Sequence, residues 1–173
     1  MLLWLAPLCN KSYYLVKYII EMIEIQSLNV NFKRIDKKSL VDIANIVLAK
    51  EKVGKKVDIS IVIVNEEDIR KINLQYRKFN KATDVLSFGS IKDFLSVECF
   101  VLPEIVICTE EVEKNAKEAN VSFKNELVRV LIHGILHLLD YDHENDEEDA
   151  KKMFLKQEEY LAMFFKDKKV KVK

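Results

Sequence analysis

The sequence predicts an α+β fold: a single-domain sandwich in which a mixed sheet of roughly four strands packs with helices, one of them buried. Three observations lead to this prediction. Segments rich in β-branched residues alternate with segments of helical periodicity, about half of the 173 residues are apolar, and one helical segment is apolar on almost every side. A chain of this size can bury one substantial core, and nothing in it requires a second domain.

The first half of the domain supplies two predicted strands and two predicted helices. Residues 22–30 alternate weakly, and residues 57–64, "VDISIVIV", are typical of a buried central strand. Apolar residues at helical spacing run through residues 36–53. Asn65 is the predicted N-cap of the second helix, because its side chain can accept a hydrogen bond from the acidic first turn that follows. The apolar face predicted for this helix consists of Ile69, Ile72, Tyr76 and Phe79.

The second half supplies two more strands and three helices. "TDVLSF" and "EIVICT" are the predicted strands, and Thr109 is expected to cap a helix that runs to about Ala119. Ser122 opens the next helix. An acidic start near Asp146 opens the last one, which is expected to end near Phe165.

Both ends of the chain are set apart from this domain, which leaves residues 22–165 as the single predicted domain. Residues 1–21 form an apolar extension without a regular period, and Met22 is a candidate start of the working protein. The extension has no basic region before its apolar run, and that run is too short to span a bilayer, so we expect neither a secretory signal nor a membrane span. The lysine-rich residues 166–173 are expected to fray.

Net charge and cysteine content indicate which kinds of binding site and cellular compartment the sequence favours. The formal net charge is zero, which gives no global basic field for nucleic acid but leaves room for a local basic groove. Cys9, Cys99 and Cys108 are odd in number and form no C-x-x-C pair. This pattern favours neither a disulfide framework nor a cysteine zinc site, and it is typical of the reducing cytoplasm.

All three histidines lie in "HGILHLLDYDH". His133 and His137 are one turn apart on the apolar helix, in a polar stripe that begins at Arg129, and buried polar groups need partners. A metal ion would satisfy both imidazoles. His143 can join them if the chain reverses after the helix, and Asp140 tolerates the left-handed conformation that ends helices. Three histidines and an open position make a catalytic zinc shell, with one ion per chain.

The histidine segment resembles the H-G-x-L-H-L-x-G-Y-D-H motif of the YbeY family of metal-dependent endoribonucleases. Residues 72–88 resemble that family's L-N-x-x-x-R segment followed by P-T-D-V-L-S-F, and residues 103–108 resemble its G-D-I-V-I-S strand. In matching order the similarity spans about residues 22–160. The departures from the family pattern, none of which removes a ligand, are Asp140 for glycine, Ala82 and Gly89 for prolines, and Pro103-Glu104 for Gly-Asp.

This resemblance implies a zinc-dependent, single-strand-specific endoribonuclease that acts in ribosomal RNA maturation, at the 3′ end of 16S rRNA, and in ribosome quality control. It makes His133, His137 and His143 the ligands of one Zn²⁺ ion, and Arg77 and His133 the candidate catalytic residues. The planar guanidinium of Arg77 suits a phosphate that gains charge in the transition state. The implied partners are single-stranded and ribosomal RNA, with ribosomal proteins as further candidates and no membrane, in the cytoplasm.

Two other functions stay open at this level. Zinc peptidases of the metzincin type share H-x-x-x-H followed by a third histidine, but they place a glutamate general base directly after the first histidine, where this chain has Gly134. A non-catalytic ribosome-assembly factor with a structural zinc would need a fourth protein ligand, such as Asp142 or a cysteine. Whether water or the RNA 2′-hydroxyl attacks phosphorus is also open.

Overall fold

The computed structural model describes residues 23–28, 30, 35–53, 57–96, 102–142 and 146–170. Within these ranges the chain forms four strands and six helices. They are β1 (Ile23–Ser27), α1 (Lys37–Lys50), β2 (Ile59–Val64), α2 (Glu66–Arg77), β3 (Val85–Phe88), α3 (Ile91–Ser96), β4 (Glu104–Cys108), α4 (Thr109–Glu118), α5 (Phe123–Leu138) and α6 (Glu147–Val170).

The strands form one mixed sheet in the order β1-β2-β4-β3. β1, β2 and β4 are parallel, and β3 is an antiparallel edge strand beside β4. All six residues of β2 are buried, as its β-branched run predicted for a central strand. The predicted α+β class and four-stranded mixed sheet are therefore confirmed.

Alternation along the strands divides the core into two apolar layers. Ile61 and Ile105 are register partners on the face that carries the larger cluster, which also contains the apolar residues of α1, α5 and α6. Val62 and Val106 point to the other face, where they pack with Ile69 of α2. α6 packs against α5 and α1. α5 is thus enclosed between the sheet and other helices.

The predicted N-cap of α2 and the predicted start of α5 at Ser122 are confirmed. The side chain of Asn65 accepts a hydrogen bond from the backbone N–H of Asp68, and that of Ser122 accepts one from the N–H of Asn125. Thr109 was predicted wrongly as a cap: it is the first helical residue of α4, because the chain leaves β4 at Cys108 without an intervening loop.

The predicted face of α2 is wrong at its C-terminal end. Lys78 has φ 65 and ends the helix in the left-handed region, so Phe79 no longer follows the helical spacing. Ile69 is fully buried and Ile72 packs beside it, but Tyr76 is 44% exposed and Phe79 is 66% exposed.

The last part of the chain differs from the prediction in length. α6 continues past Phe165 to Val170, and α3, a helix of six residues, was not predicted. No helix within the described ranges combines the length and apolar composition that crossing a bilayer requires. The apolar extension at residues 1–21 and the Met22 start lie outside the described residues, and the fraying of the tail stays a prediction.

Candidate metal centre

The polar stripe on α5 is more exposed than the rest of the helix, whereas the sequence predicted buried polar groups. From Glu126 to Leu138 every residue is buried except Arg129, His133 and His137, which are partly exposed. The apolar majority holds the helix in the core, and the three polar side chains share one edge of it. The stripe therefore presents imidazoles in fixed positions on a rigid element.

His133 and His137 meet at their Nε2 atoms, which are 3.1 Å apart. Their ring centroids lie 4.7 Å apart and their planes are nearly perpendicular. Two nitrogens bound at about 2.0–2.1 Å to one tetrahedral zinc ion would lie about 3.3–3.4 Å apart. The spacing of the two nitrogens in this structure therefore fits two ligands of one small cation.

The other nitrogen of His133 is held by α6. Its Nδ1 atom lies 3.1 Å from Oε1 of Gln157, a residue that is 9% exposed. A carbonyl oxygen can only accept, so Nδ1 carries the proton and the lone pair is on Nε2, facing His137. A hydrogen bond of this kind fixes the tautomer and orientation of a metal-binding imidazole. Gln157 gave no signal in the sequence, because it comes from a different helix.

Arg129 completes the stripe in a structural role. Its Nη1 donates to Oε1 of Glu158 on α6, and its Nε lies 3.5 Å from Oε2 of Glu126 on the preceding turn. Burial raises the pKa of the Glu126 carboxyl, which the nearby arginine partly offsets. Arg129 thus ties α5 to α6 one turn before the histidine pair.

α5 ends in the reversal that a third ligand would need. The N–H of Tyr141 donates to the carbonyl of Leu136, the N–H of Asp140 donates to that of His137, and Asp140 has φ 63. This is the Schellman pattern, in which a left-handed residue closes the helix. Lys92 of α3 pairs with Asp140 at 2.9 Å. His143 comes two residues after Tyr141 in the sequence but lies outside the described residues, so its part in the site stays a prediction.

The carboxylate of Glu51, the residue directly after α1, holds Tyr141 of that turn. Oε2 of Glu51 accepts a hydrogen bond of 2.9 Å from the Tyr141 hydroxyl, and its Oε1 accepts from Lys156 at 2.5 Å and from the Tyr160 hydroxyl. Burial raises the pKa of Glu51, but the hydrogen bonds from these three donors together lower it by more than burial raises it. The pKa of Glu51 therefore lies below its ordinary value. Burial and the bond to Glu51 raise the pKa of Tyr160 to about 12. The cluster joins α1, α6 and the end of α5.

The residue after the first histidine faces the sheet and not the imidazoles. A Cβ atom added to Gly134 would lie 3.0 Å from Cγ2 of Ile105 and 3.2 Å from Oγ of Ser87. The Ser87 hydroxyl also donates to the Gly134 carbonyl at 3.1 Å. A glutamate has no room at this position, so the chain lacks the general base that the peptidase alternative requires there.

A fourth protein ligand is also missing from the described part of the chain. Cys108 is buried in the cluster on the α2 side of the sheet, away from α5, and burial raises the pKa of its thiol to about 12. Among the described residues no third histidine, cysteine, aspartate or glutamate forms a metal-binding group with the histidine pair. The structural-zinc alternative gains no support from these residues.

A cavity of about 450 Å³ opens beside the turn that follows α5. Its walls mix apolar, acidic and basic side chains, among them Ile91, Lys92, Asp140, Asp142 and Lys152. The volume is within the usual range of ligand sites. Substrate atoms could therefore reach the end of the helix that carries the histidines.

Arg77 is exposed at the C-terminal end of α2, on the opposite side of the sheet from α5. The two helices approach neighbouring residues of the edge strand: Tyr76 packs on Phe88 with centroids 5.1 Å apart, while Gly134 contacts Ser87. The structure thus puts Arg77 and the histidine helix on either side of the end of β3, and the catalytic role of Arg77 stays a prediction.

Comparison with known proteins gives one family. Residues 21–164 match the family model described as Endoribonuclease YbeY. An Endoribonuclease YbeY of Petrotoga mobilis is 41% identical over 138 residues, which cover 79% of this chain and 92% of the relative. One of a Sulfurihydrogenibium species is 41% identical over 122 residues, covering 70% and 79%. The solution structure of a Thermotoga maritima protein has a TM-score of 0.59 at 33% identity and covers 87% of this chain and 94% of that one.

Proposed function

This chain belongs to the endoribonuclease YbeY family, and from that premise we propose that it is a zinc-dependent nuclease that cleaves single-stranded RNA during ribosomal RNA maturation. Its substrate would be ribosomal RNA, at the 3′ end of 16S rRNA, with a further part in ribosome quality control. Ribosomal proteins would be its neighbours in the cytoplasm. His133, His137 and His143 would hold one ion per chain.

The observation that carries this proposal is the histidine pair. Two imidazoles whose Nε2 atoms are 3.1 Å apart, one of them oriented by Gln157, sit on a buried helix that ends in a tight reversal. When bound, zinc supplies positive charge that stabilises a phosphate gaining negative charge, and it makes a neighbouring water more acidic. A fixed pair of neutral imidazoles suits this ion better than carboxylate-preferring Mg²⁺.

Other residues of the chain would orient the ligands, bind the phosphate and receive the nucleotide. Gln157 keeps the proton of His133 on Nδ1, so the ring presents a lone pair. Arg77 is permanently charged, and its fork of donors can bind two oxygens of the scissile phosphate. Asp140 and Tyr141 fix the turn that leads to His143. The cavity beside this turn would receive the nucleotide next to the cleaved bond.

Metal analysis and two substrates test the proposal. Purified wild type should contain about one zinc per chain and cleave a single-stranded RNA but not casein, and His137→Ala should lose both the metal and the cleavage. Asp42→Asn, a change at a partly exposed residue of α1, is the control and should keep both. Cleavage of casein, or full RNA cleavage by metal-free His137→Ala, would overturn it. A 2′,3′-cyclic phosphate product would identify the RNA 2′-hydroxyl as the attacking group.

Arg77 is tested separately. Arg77→Ala should lower RNA cleavage by about tenfold or more, with zinc content and melting temperature near wild type, and Arg77→Lys should restore only part because it lacks the fork. Lys50 is a matched control, since it is also an exposed basic residue in the last turn of a helix. Lys50→Ala should cleave at the wild-type rate. Wild-type cleavage by Arg77→Ala would assign this arginine to ordinary surface charge.

A further inference from the structure

The C-terminal end of α2 carries an exposed aromatic ring that the core does not use. Phe79 is 66% exposed, the largest value among the exposed large apolar residues of the described chain. It follows Lys78, whose left-handed conformation turns the chain out of the helix. Exposing a phenylalanine of this size is unfavourable in water, so a ligand that covers it would gain the free energy of burial.

The segment that displays Phe79 is held in place. Arg70 donates from Nη1 to Oδ1 of Asn80 at 3.2 Å, and Nδ2 of Asn73, a buried residue, donates to the carbonyl of Lys81 at 2.7 Å. These bonds fasten the chain on the C-terminal side of the ring to the body of α2. Phe79 is therefore presented by a preorganised segment, which lowers the entropy that a ligand must remove.

The sequence on either side of the ring is basic. Between Asp68 and Asp84 the sequence has five basic residues and no acidic one. Those basic residues are Arg70, Lys71, Arg77, Lys78 and Lys81. Among the residues whose exposure is described, the other exposed phenylalanine is Phe154 on α6, which is 57% exposed but lies among both lysines and glutamates. Lys71 pairs with Glu67 at 2.6 Å, and the basic residues within two positions of the ring are Arg77, Lys78 and Lys81. An aromatic ring with basic side chains beside it is an arrangement that binds single-stranded nucleic acid, because bases stack on rings while cations contact phosphates.

The position of this surface relates it to the candidate metal centre. Tyr76, 44% exposed, packs its ring on Phe88 at the end of β3, and Ser87 of the same strand contacts α5 beside His133. A single strand bound at the end of α2 would therefore lie at the edge strand that α5 approaches from the other face.

We propose that Phe79, supported by Tyr76, is a stacking platform for a base of single-stranded RNA whose phosphates contact Arg77, Lys78 and Lys81. This rests on the proposed function for the identity of the nucleic acid and deepens it by naming a base-binding position apart from the metal. The platform reads no sequence, since every base has a face that can stack.

Binding without cleavage tests the platform. Fluorescence anisotropy would measure the affinity of the full chain for a labelled single-stranded RNA with 2′-O-methyl sugars, in the presence of EDTA, and for an abasic oligonucleotide of equal length. Phe79→Ala should weaken binding of the base-containing strand about tenfold and leave the abasic strand unchanged. Phe79→Tyr should bind as wild type, and Phe79→Leu should weaken binding as alanine does, because it keeps apolar area but loses the ring. Phe154→Ala is the matched control and should not change affinity.

Four outcomes would overturn the platform: no RNA binding by wild type, Phe79→Ala within twofold of wild type, equal losses on both strands, or full affinity in Phe79→Leu. The last would indicate an apolar protein partner instead of a base. A parallel cleavage assay with unmodified RNA separates the two proposals. Wild type that binds through Phe79 but cleaves nothing would refute the nuclease function alone, and a cleaving wild type with unaffected Phe79 variants would refute the platform alone.

Discussion

Glu51→Gln should destabilise the fold by about 2 kcal/mol, because it leaves Lys156 without its carboxylate. Removing one partner of a fully buried ion pair costs about 3–5 kcal/mol, and exposed pairs contribute about 0–1 kcal/mol. The Glu51 and Lys156 side chains are 12% and 29% exposed, so the pair lies between these limits and nearer the buried one. Glutamine keeps the size and one acceptor oxygen, which preserves part of the bonding to Tyr141 and Tyr160.

Urea unfolding at pH 7 would measure the effect, with Asp42→Asn as the control. Asp42 pairs with Lys38 at 3.0 Å, but the two side chains are 38% and 81% exposed, so its loss should change the free energy of unfolding by less than about 0.5 kcal/mol. If Glu51→Gln changes stability no more than Asp42→Asn does, the network that joins α1, α6 and the end of α5 contributes nothing and the reasoning fails.

The pH dependence of the stability difference between wild type and Glu51→Gln gives a second check. The pKa of Glu51 is below its ordinary value of 4.5 in the folded state, so its contribution is present above that value and is lost as pH falls through the folded pKa. The difference between wild type and Glu51→Gln should therefore be full at neutral pH and shrink in acid below pH 4.5. A difference that stays constant through this acid range would contradict an ionised Glu51 as its source.

Three further changes have expected outcomes. Gln157→Leu should lower the affinity for zinc about 10- to 100-fold, because His133 loses the acceptor that orients it. Competition with a chelating dye would measure the affinity, and the circular dichroism spectrum should stay the same. An unchanged affinity would contradict this prediction. Gly134→Val should lower the free energy of unfolding by about 2 kcal/mol in urea, because even a Cβ would lie 3.0 Å from Ile105; an unchanged midpoint would show that α5 can move away. Asp140 has φ 63, a conformation that glycine adopts easily and valine does not. Asp140→Gly should therefore change the free energy of unfolding by less than about 1 kcal/mol, and Asp140→Val should lower it by about 1–2 kcal/mol. Equal stability of the two variants would refute the argument.

Local signals in the sequence were sufficient for much of the fold. β2 was predicted from its β-branched run, the N-cap at Asn65 from its side-chain chemistry, and the polar stripe on α5 from its spacing. The start of α5 at Ser122 was also predicted. Each of these depends on neighbours within a few residues. Thr109 failed as a cap because the length of the connection between β4 and α4 is set by packing, which no local pattern records.

Of the candidate site, only the histidines themselves could be predicted from the sequence, and not the residues that hold them in place. The spacing of His133 and His137 on one turn brought their Nε2 atoms together. Gln157, Glu51 and Ser87 were missed because each reaches the α5 region from a separate element, and its position depends on how helices and sheet pack. Phe79 was wrongly assigned to the apolar face of α2, because the helical periodicity continues through the sequence whereas the helix ends before Lys78.

The departures from the family pattern differ in what they do to the backbone. Asp140 adopts φ 63, the conformation for which glycine is best suited, so replacing the family glycine leaves the reversal toward His143 intact. Gly89 has φ 83, which a proline, locked near −65°, could not adopt, so this backbone does not accommodate the proline of the family pattern. β3 ends at Phe88, on which Tyr76 packs. The departure at Gly89 therefore lies directly after Phe88, whose ring contacts Tyr76 of the proposed platform, and we expect differences in RNA binding between this chain and its relatives there and not at His133 and His137.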